Sequence, residues 1–185
     1  SVNPLDGNDR LGTIGYPVPS TDMRIVNDEG QEVPVGETGE IQIKGPQVMK
    51  GYFNKVEETE KVLKEGWFSS GDIGLMEEDG YFKIVDRKKD MILVSGFNVF
   101  PNEVEEVATL CDKVLEAAAV GFPDEKSGEH VKLFVVKKDP SLTKEELMEH
   151  LKLNLTNYKR PKEIEFRTEL PKSNVGKILR RELRK

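Results

Sequence analysis

Leu115-Glu116-Ala117-Ala118-Ala119-Val120-Gly121 and Val131-Lys132-Leu133-Phe134-Val135-Val136-Lys137-Lys138 are the stretches whose reading settles the architecture. Both runs are nearly continuous in apolar residues, which predicts central strands buried on two faces rather than half-exposed ones. Such strands need cover on both sides, and their neighbours can supply it. Pro101 opens an amphipathic helix reaching about Cys111, with Val104, Val107, Ala108 and Cys111 on one face. Thr143 followed three residues later by Glu146 forms a capping box, which predicts a helix to about Leu155. Strands at Met91–Val94 and Ile164–Arg167, a glycine turn at Ser95–Asn98 and a terminal helix from Ile178 complete the set.

Residues 1–86 have a different texture. Met23–Val26, Gly39–Lys44 and Tyr81–Val85 are short alternating runs separated by turn formers such as Asp28-Glu29-Gly30 and Asp79-Gly80. A short helix is predicted from Glu57 to Lys64, ending at Gly66. The stretch is too short to close a barrel. The predicted fold class is therefore α+β: an incomplete β-barrel-like N-terminal segment, then a small α+β domain with a mixed sheet and flanking helices. The expected division is 1–86, a connector at 87–90, and 91–185. The charged run Asp86-Arg87-Lys88-Lys89-Asp90 reads as an exposed link where motion is expected.

Composition narrows the classes. With 36% hydrophobic and 34% charged residues, the chain can build cores and falls outside the disordered class. Residues 1–86 carry 8 Lys+Arg against 17 Asp+Glu, net −9, whereas 87–185 carry 20 against 17, net +3. The last fifteen residues hold six basic side chains and one acidic. That tail lacks interleaved aromatics and the sequence pI is about 5.2, so nucleic-acid binding is not expected. No apolar run approaches the roughly 18–20 residues of a membrane span. The single Cys111 is read as a packed apolar residue and suits a reducing cytoplasmic setting. One Cys and two His at no ligand spacing predict no metal site. Because the first residue is Ser1 and no targeting segment is evident, the chain is expected to be a piece of a longer protein.

Several polar residues stand out. In Gly66-Trp67-Phe68-Ser69-Ser70-Gly71-Asp72 a carboxylate follows a glycine turn and could accept two hydroxyls of a ribose diol; a turn Asp bonding its own backbone is the plainer alternative. Arg87 could partner an anionic ligand or be a connector charge. Ser95-Gly96-Phe97-Asn98 is a loop in which backbone could approach a ligand. Lys177, in Leu170-Pro171-Lys172-Ser173-Asn174-Val175-Gly176-Lys177-Ile178, places a compact cation on a turn expected to be mobile, suited to phosphate or carboxylate oxygens.

Taken in order, these blocks, with "DRKKDMILVSGFNVFPNEVE" and "LPKSNVGKILRREL" among them, resemble the C-terminal third of the adenylate-forming superfamily, and the "VSGFN" and "NVGKILRREL" wording is most similar to bacterial long-chain fatty-acid–CoA ligases. The resemblance implies an AMP-forming acid–thiol ligase using ATP, Mg and CoA. It implies that Asp72 and Arg87 bind nucleotide, that Lys89 is the hinge, and that Ser95, Gly96 and Phe97 line the CoA path. Lys177 resembles the lysine bridging the α-phosphate and the substrate carboxylate. Implied partners are the missing N-terminal domain of the same chain, a fatty acid and CoA, with peripheral membrane contact. If the chain is such a piece, residues 1–86 should expose apolar surface meant for that domain, so a loosely held or swapped homodimer, or a mobile first half, is expected. Ser70 stands where many members carry threonine, and Val175 replaces a common Ser or Thr. The sequence contains no Ser/Thr/Gly-rich phosphate loop, so this stretch alone is expected to be inactive. A free-standing nucleotide- or partner-binding module is the alternative.

Overall fold

The computed structural model describes residues 1–5 and 7–184. The chain divides into two compact units, Ser1–Lys89 and Asp90–Lys185.

The first unit contains β1 (Asp22–Val26), β2 (Gly39–Lys44), helix α1 (Val56–Val62), β3 (Leu63–Lys64), β4 (Trp67–Met76) and β5 (Phe82–Arg87). β1, β2 and β4 are antiparallel neighbours, while β3 and β5 pair with different ends of the free edge of β4. No pairing joins β1 to β3 or β5 among the described residues, so the sheet is an open half-barrel. Alternation sorts its faces. Ile25, Ile41 and Phe82 are buried, with Ile14, Met23, Val33, Ile43 and Met76 packed against them. On the polar face Arg24 Nε donates to Gln42 Oε1 at 2.9 Å, and Gln42 Nε2 donates to Ser69 Oγ at 3.0 Å. The Arg24 guanidinium lies 4.1 Å from the centroid of the Trp67 ring.

Three expectations change here. The helix ends at Val62, because Leu63 and Lys64 turn extended and pair with Phe68 and Trp67 around Glu65-Gly66. Gly66 stays in a turn, but Trp67–Asp72 forms the first part of a ten-residue strand, and the glycine just before Asp72, Gly71, sits in a bulge of that strand. The run from Asp86 to Asp90 is not uniformly exposed: Asp86 is buried at the end of β5, and its Oδ1 accepts from the Arg87 amide at 2.7 Å.

The second unit contains β6 (Ile92–Val94), β7 (Phe97–Val99), α2 (Pro101–Thr109), β8 (Val114–Asp124), β9 (Gly128–Lys137), α3 (Lys144–Asn154), β10 (Glu163–Arg167) and α4 (Arg180–Leu183). β8 and β9 form a long antiparallel hairpin, β10 runs parallel to β9, and β6 meets β9 at Val94 and Gly128. The sheet is mixed, as expected. Its central strands are buried on both faces. Ala117, Ala119, Val131, Leu133 and Val135 point into a core with Val104 and Ala108 of α2 and Leu147 and Leu151 of α3. Ala118, Val120, Phe134 and Val136 face the other way, under Leu170, Ile178 and Leu183 of the tail.

The capping box forms by half. Thr143 Oγ1 accepts from the Glu146 amide at 3.1 Å, while the Glu146 carboxylate pairs with Lys113 Nζ at 2.7 Å. The Ser95–Asn98 turn narrows to Ser95-Gly96, since Phe97 and Asn98 already belong to β7. The terminal helix starts at Arg180 rather than Ile178, because Ile178 is held in a bridge to Lys172. Among the described residues no helix is long and apolar enough to cross a membrane.

Candidate functional site

In the first unit the bulge in β4 aims Asp72. Residues Ser70, Gly71 and Asp72 lie between the β2 pairings Gln42–Ser69 and Glu40–Ile73, so β4 carries extra residues opposite Ile41. Gly71 has φ +75° with open space where a Cβ would stand, and its amide donates to Glu40 Oε1 at 3.2 Å. Ser70 Oγ donates to the Ile41 carbonyl at 2.8 Å and accepts from the Asp72 amide at 3.1 Å. The hydroxyl therefore helps to shape the bulge that presents Asp72. Asp72 and Arg87 are register partners on β4 and β5, with Arg87 Nε 3.7 Å from Asp72 Oδ1. The half-buried carboxylate borders a mainly apolar cavity of about 550 Å³, whose walls include Met23, Ile43, Phe68 and Ile84. An acceptor at the rim of such a cavity, beside an exposed guanidinium, can take hydroxyl donors on one side and an anion on the other.

The link between the units is clamped on either side of one residue. A 3₁₀ turn spans Lys88–Asp90. Lys88 Nζ lies 2.9 Å from Asp28 Oδ1 and 3.0 Å from Glu40 Oε2, both in the first unit. Burial acts to lower the Lys88 pKa, but the hydrogen bonds to Asp28 and Glu40 outweigh it and hold the ammonium above its ordinary range. Asp90 Oδ2 lies 3.6 Å from Arg180 Nη1 within the second unit. Lys89, between them, is exposed and makes no ion pair among the described residues.

In the second unit Ser95 and Gly96 have φ of +51° and +83°, the pair of positive values that a tight hairpin turn between paired Val94 and Phe97 requires. The Ser95 amide donates to the Ser127 carbonyl at 2.8 Å, and a Cβ on Gly96 would meet nothing within 4 Å. Phe97, exposed by 56%, stacks on Tyr158 with centroids 4.7 Å apart.

Lys177 sits on a second hairpin, whose backbone is cross-linked within itself. The Ser173 amide donates to the Lys177 carbonyl at 2.8 Å, Gly176 N to the Ser173 carbonyl at 2.9 Å, and Leu179 N to the Pro171 carbonyl at 2.8 Å. The backbone is held while the exposed ammonium makes no ion pair among the described residues. The structure thus brings Asp72 and Arg87 together on one sheet, and sets Ser95–Phe97 and Lys177 on separate hairpins of the other unit.

Sequence reasoning missed Glu40, which joins the Gly71 amide to Lys88, and the cluster of Arg180 with Glu105 and Asn102. In neither case does local pattern reveal the partner, which lies 31 to 78 residues away. The described residues hold no group of three or more His, Cys, Asp or Glu that could bind a metal ion.

Residues 1–53 match the AMP-binding enzyme family and residues 103–177 the AMP-binding enzyme C-terminal domain. A long-chain-fatty-acid–CoA ligase from Yersinia pestis is 62% identical over 182 residues, covering 98% of this chain and 32% of that protein. The structure of ATP-bound MatB from Rhodopseudomonas palustris superposes with a TM-score of 0.92 at 34% identity, covering 98% of this chain and 37% of that one. The o-succinylbenzoate CoA synthetase MenE from Bacillus subtilis, in complex with its acyl-adenylate intermediate, gives 0.87 at 35% identity over 95% and 36%. The chain spans about a third of the length of the curated relatives it matches.

Proposed function

We propose, because the chain belongs to the adenylate-forming, AMP-binding enzyme family, that it is the C-terminal part of an ATP-dependent long-chain fatty-acid–CoA ligase. The observation that carries this reading is the matched identity with named ligases along nearly the whole chain, together with Lys177 on a backbone-tied hairpin and Lys89 at the junction of the units, both exposed and without an ion pair among the described residues. In the first half-reaction a fatty-acid carboxylate oxygen attacks the α-phosphorus of ATP, and the bond to pyrophosphate breaks. In the second, the CoA sulfur, its proton lost, attacks the acyl carbonyl and AMP leaves.

Lys177 serves the first step. Two anions must approach, and a desolvated ammonium between them offsets both their repulsion and the charge that develops. Asp72 accepts the ribose hydroxyls and Arg87 holds the same nucleotide from the neighbouring strand. Lys89 is the pivot: Lys88 belongs to the first unit and Asp90 to the second, so rotation falls on the residue between. After pyrophosphate leaves, Lys177 withdraws and the Ser95-Gly96-Phe97 hairpin lines the CoA path. Gly96 is suited to this by its open flank. Mg²⁺ is assigned to residues outside this chain. The chain by itself is inactive, works in the cytoplasm, and contacts anionic membrane peripherally through its basic tail.

The test is the pair of half-reactions in the intact ligase. Lys177→Ala is expected to lower acyl-adenylate formation by about 10²–10³-fold, with a far smaller loss in thioester formation from supplied acyl-adenylate. Equal losses in both would remove Lys177 from this role.

A further inference from the structure

The tail that follows Lys177 is fastened to the second unit by the apolar side chains of Ile178 and Leu183, which pack over β8 and β9, and by one charged side chain that acts at the exit of the hairpin. Arg180 opens α4, three residues past Lys177, and is only 17% exposed. Its Nε donates to Glu105 Oε1 at 3.0 Å and its Nη2 to Glu105 Oε2 at 2.8 Å, a two-pronged contact with α2. Nη2 also donates to Asn102 Oδ1 at 2.7 Å, and Nη1 lies 3.6 Å from Asp90. Glu105 Oε1 in turn accepts from the Ala119 amide of β8 at 2.8 Å, which fixes the carboxylate before Arg180 reaches it. One guanidinium thus ties together α2, β8, the start of the unit beside the pivot, and the exit of the Lys177 hairpin.

The two legs of that hairpin are held unequally. On the entry leg Lys172 pairs with Glu116, but both side chains are substantially exposed, where ion pairs contribute little. The exit leg, through Ile178 and Leu179, runs straight into Arg180, whose paired charges are largely removed from water and charge-assisted. Inside the hairpin the bonds join only its own residues. They fix its shape and not its direction.

We infer that Arg180 is a positioning residue for adenylation: through its fork on Glu105 it sets where the Lys177 hairpin points, and through Asp90 it registers that hairpin with the pivot. This rests on the proposed role of Lys177. A lysine could not replace it, because a single ammonium cannot engage both Glu105 oxygens and Asn102 in one plane. Loss of the fork should let the hairpin swing by an ångström or more, and displacement on that scale costs about 10²-fold in a positioned reaction.

The experiment is a double-mutant cycle in the intact ligase, with each half-reaction measured separately. Arg180→Ala should lower acyl-adenylate formation by about 10- to 100-fold, spare thioester formation from supplied acyl-adenylate, and have little further effect in a Lys177→Ala background. Arg180→Lys, which keeps the charge and so protects folding, should recover little of the adenylation rate. It is the readout if Arg180→Ala does not fold. Two results would overturn the inference while leaving Lys177 in place: normal adenylation in the Arg180 variants, or a loss that multiplies with Lys177→Ala. A Lys177→Ala enzyme with undiminished adenylation would sink both the inference and the reading beneath it.

Discussion

The two units solve the same problem, covering a five-stranded sheet, to different degrees. In the second, one face of β8 and β9 lies under α2 and α3, and the other under Leu170, Ile178 and Leu183. In the first, the apolar face has a buried centre of Ile25, Ile41 and Phe82 and then opens into a cavity of about 550 Å³. Met23 and Ile43 remain partly uncovered at its border. The difference teaches where each unit's stability resides: the second carries its own cover, and the first depends on a small cluster with apolar surface left over. It also matches their roles in the proposed ligase, one a part that must move intact and the other a part that continues into a larger body.

The comparison can be broken most forcefully at Phe82. Phe82→Ala, which removes a fully buried ring from the centre of the first unit, should cost about 3–5 kcal/mol, a large part of the margin of a typical domain. The sole tryptophan, Trp67, lies in that unit and reports the loss as a lowered midpoint in its fluorescence. An unchanged midpoint would mean the small cluster is not what holds the sheet.

Leu133→Ala is the matching cut in the second unit. It should cost about 2–5 kcal/mol, yet Phe134, Val136 and the tail still cover the opposite face, so amide exchange at Ala117–Val120 should quicken without full loss of protection. Collapse of that protection would show that the two faces do not support the sheet separately.

Amide exchange of the unsubstituted chain sharpens the contrast. β8 and β9 are expected to exchange slowest, with β1 and the edges of β4 faster. Uniformly slow exchange across both units, together with monomeric behaviour, would contradict the incomplete half.

A smaller effect is electrostatic. Lys162, then Ser127, hold the Asp124 carboxyl well below the usual carboxylate range at the tip of the β8–β9 hairpin. Since its folded pKa is depressed, its contribution is present above the unfolded value of about 4 and disappears as pH falls through the folded one. Asp124→Asn should therefore lower the thermal midpoint modestly at neutral pH, and the difference from the parent should fade only in strong acid. A difference that grew on acidification would have the wrong sign.

The second unit was more legible than the first for physical reasons. Apolar runs such as Ala117–Val120 can satisfy themselves only by two-sided burial, and a Thr143 cap is a local event. β4 was hidden because Ser69, Ser70, Gly71 and Asp72 are turn formers that β2 nonetheless draws into a ladder with a bulge. Leu63 continued the helical pattern but obeys the strand it pairs with. Asp86 looked exposed among charges, yet strand β5 carries it inside. For the site, the positions of Ser95, Gly96 and Lys177 on tight turns could be read from glycines and proline. What holds them could not. Arg180 was one charge in a basic run, and its meeting with Glu105 joins residues 75 apart.

The claim that most needs testing is that the second unit turns about Lys89 between half-reactions. Lys89→Pro in the intact ligase restricts φ at the pivot and the conformation of Lys88 before it, and the two half-reactions can be timed separately against a Lys89→Ala control. If the second unit turns at Lys89, acyl-adenylate formation survives in Lys89→Pro while thioester formation is largely lost, with both close to normal in Lys89→Ala. A proline variant that completes both half-reactions at the normal rate would contradict it.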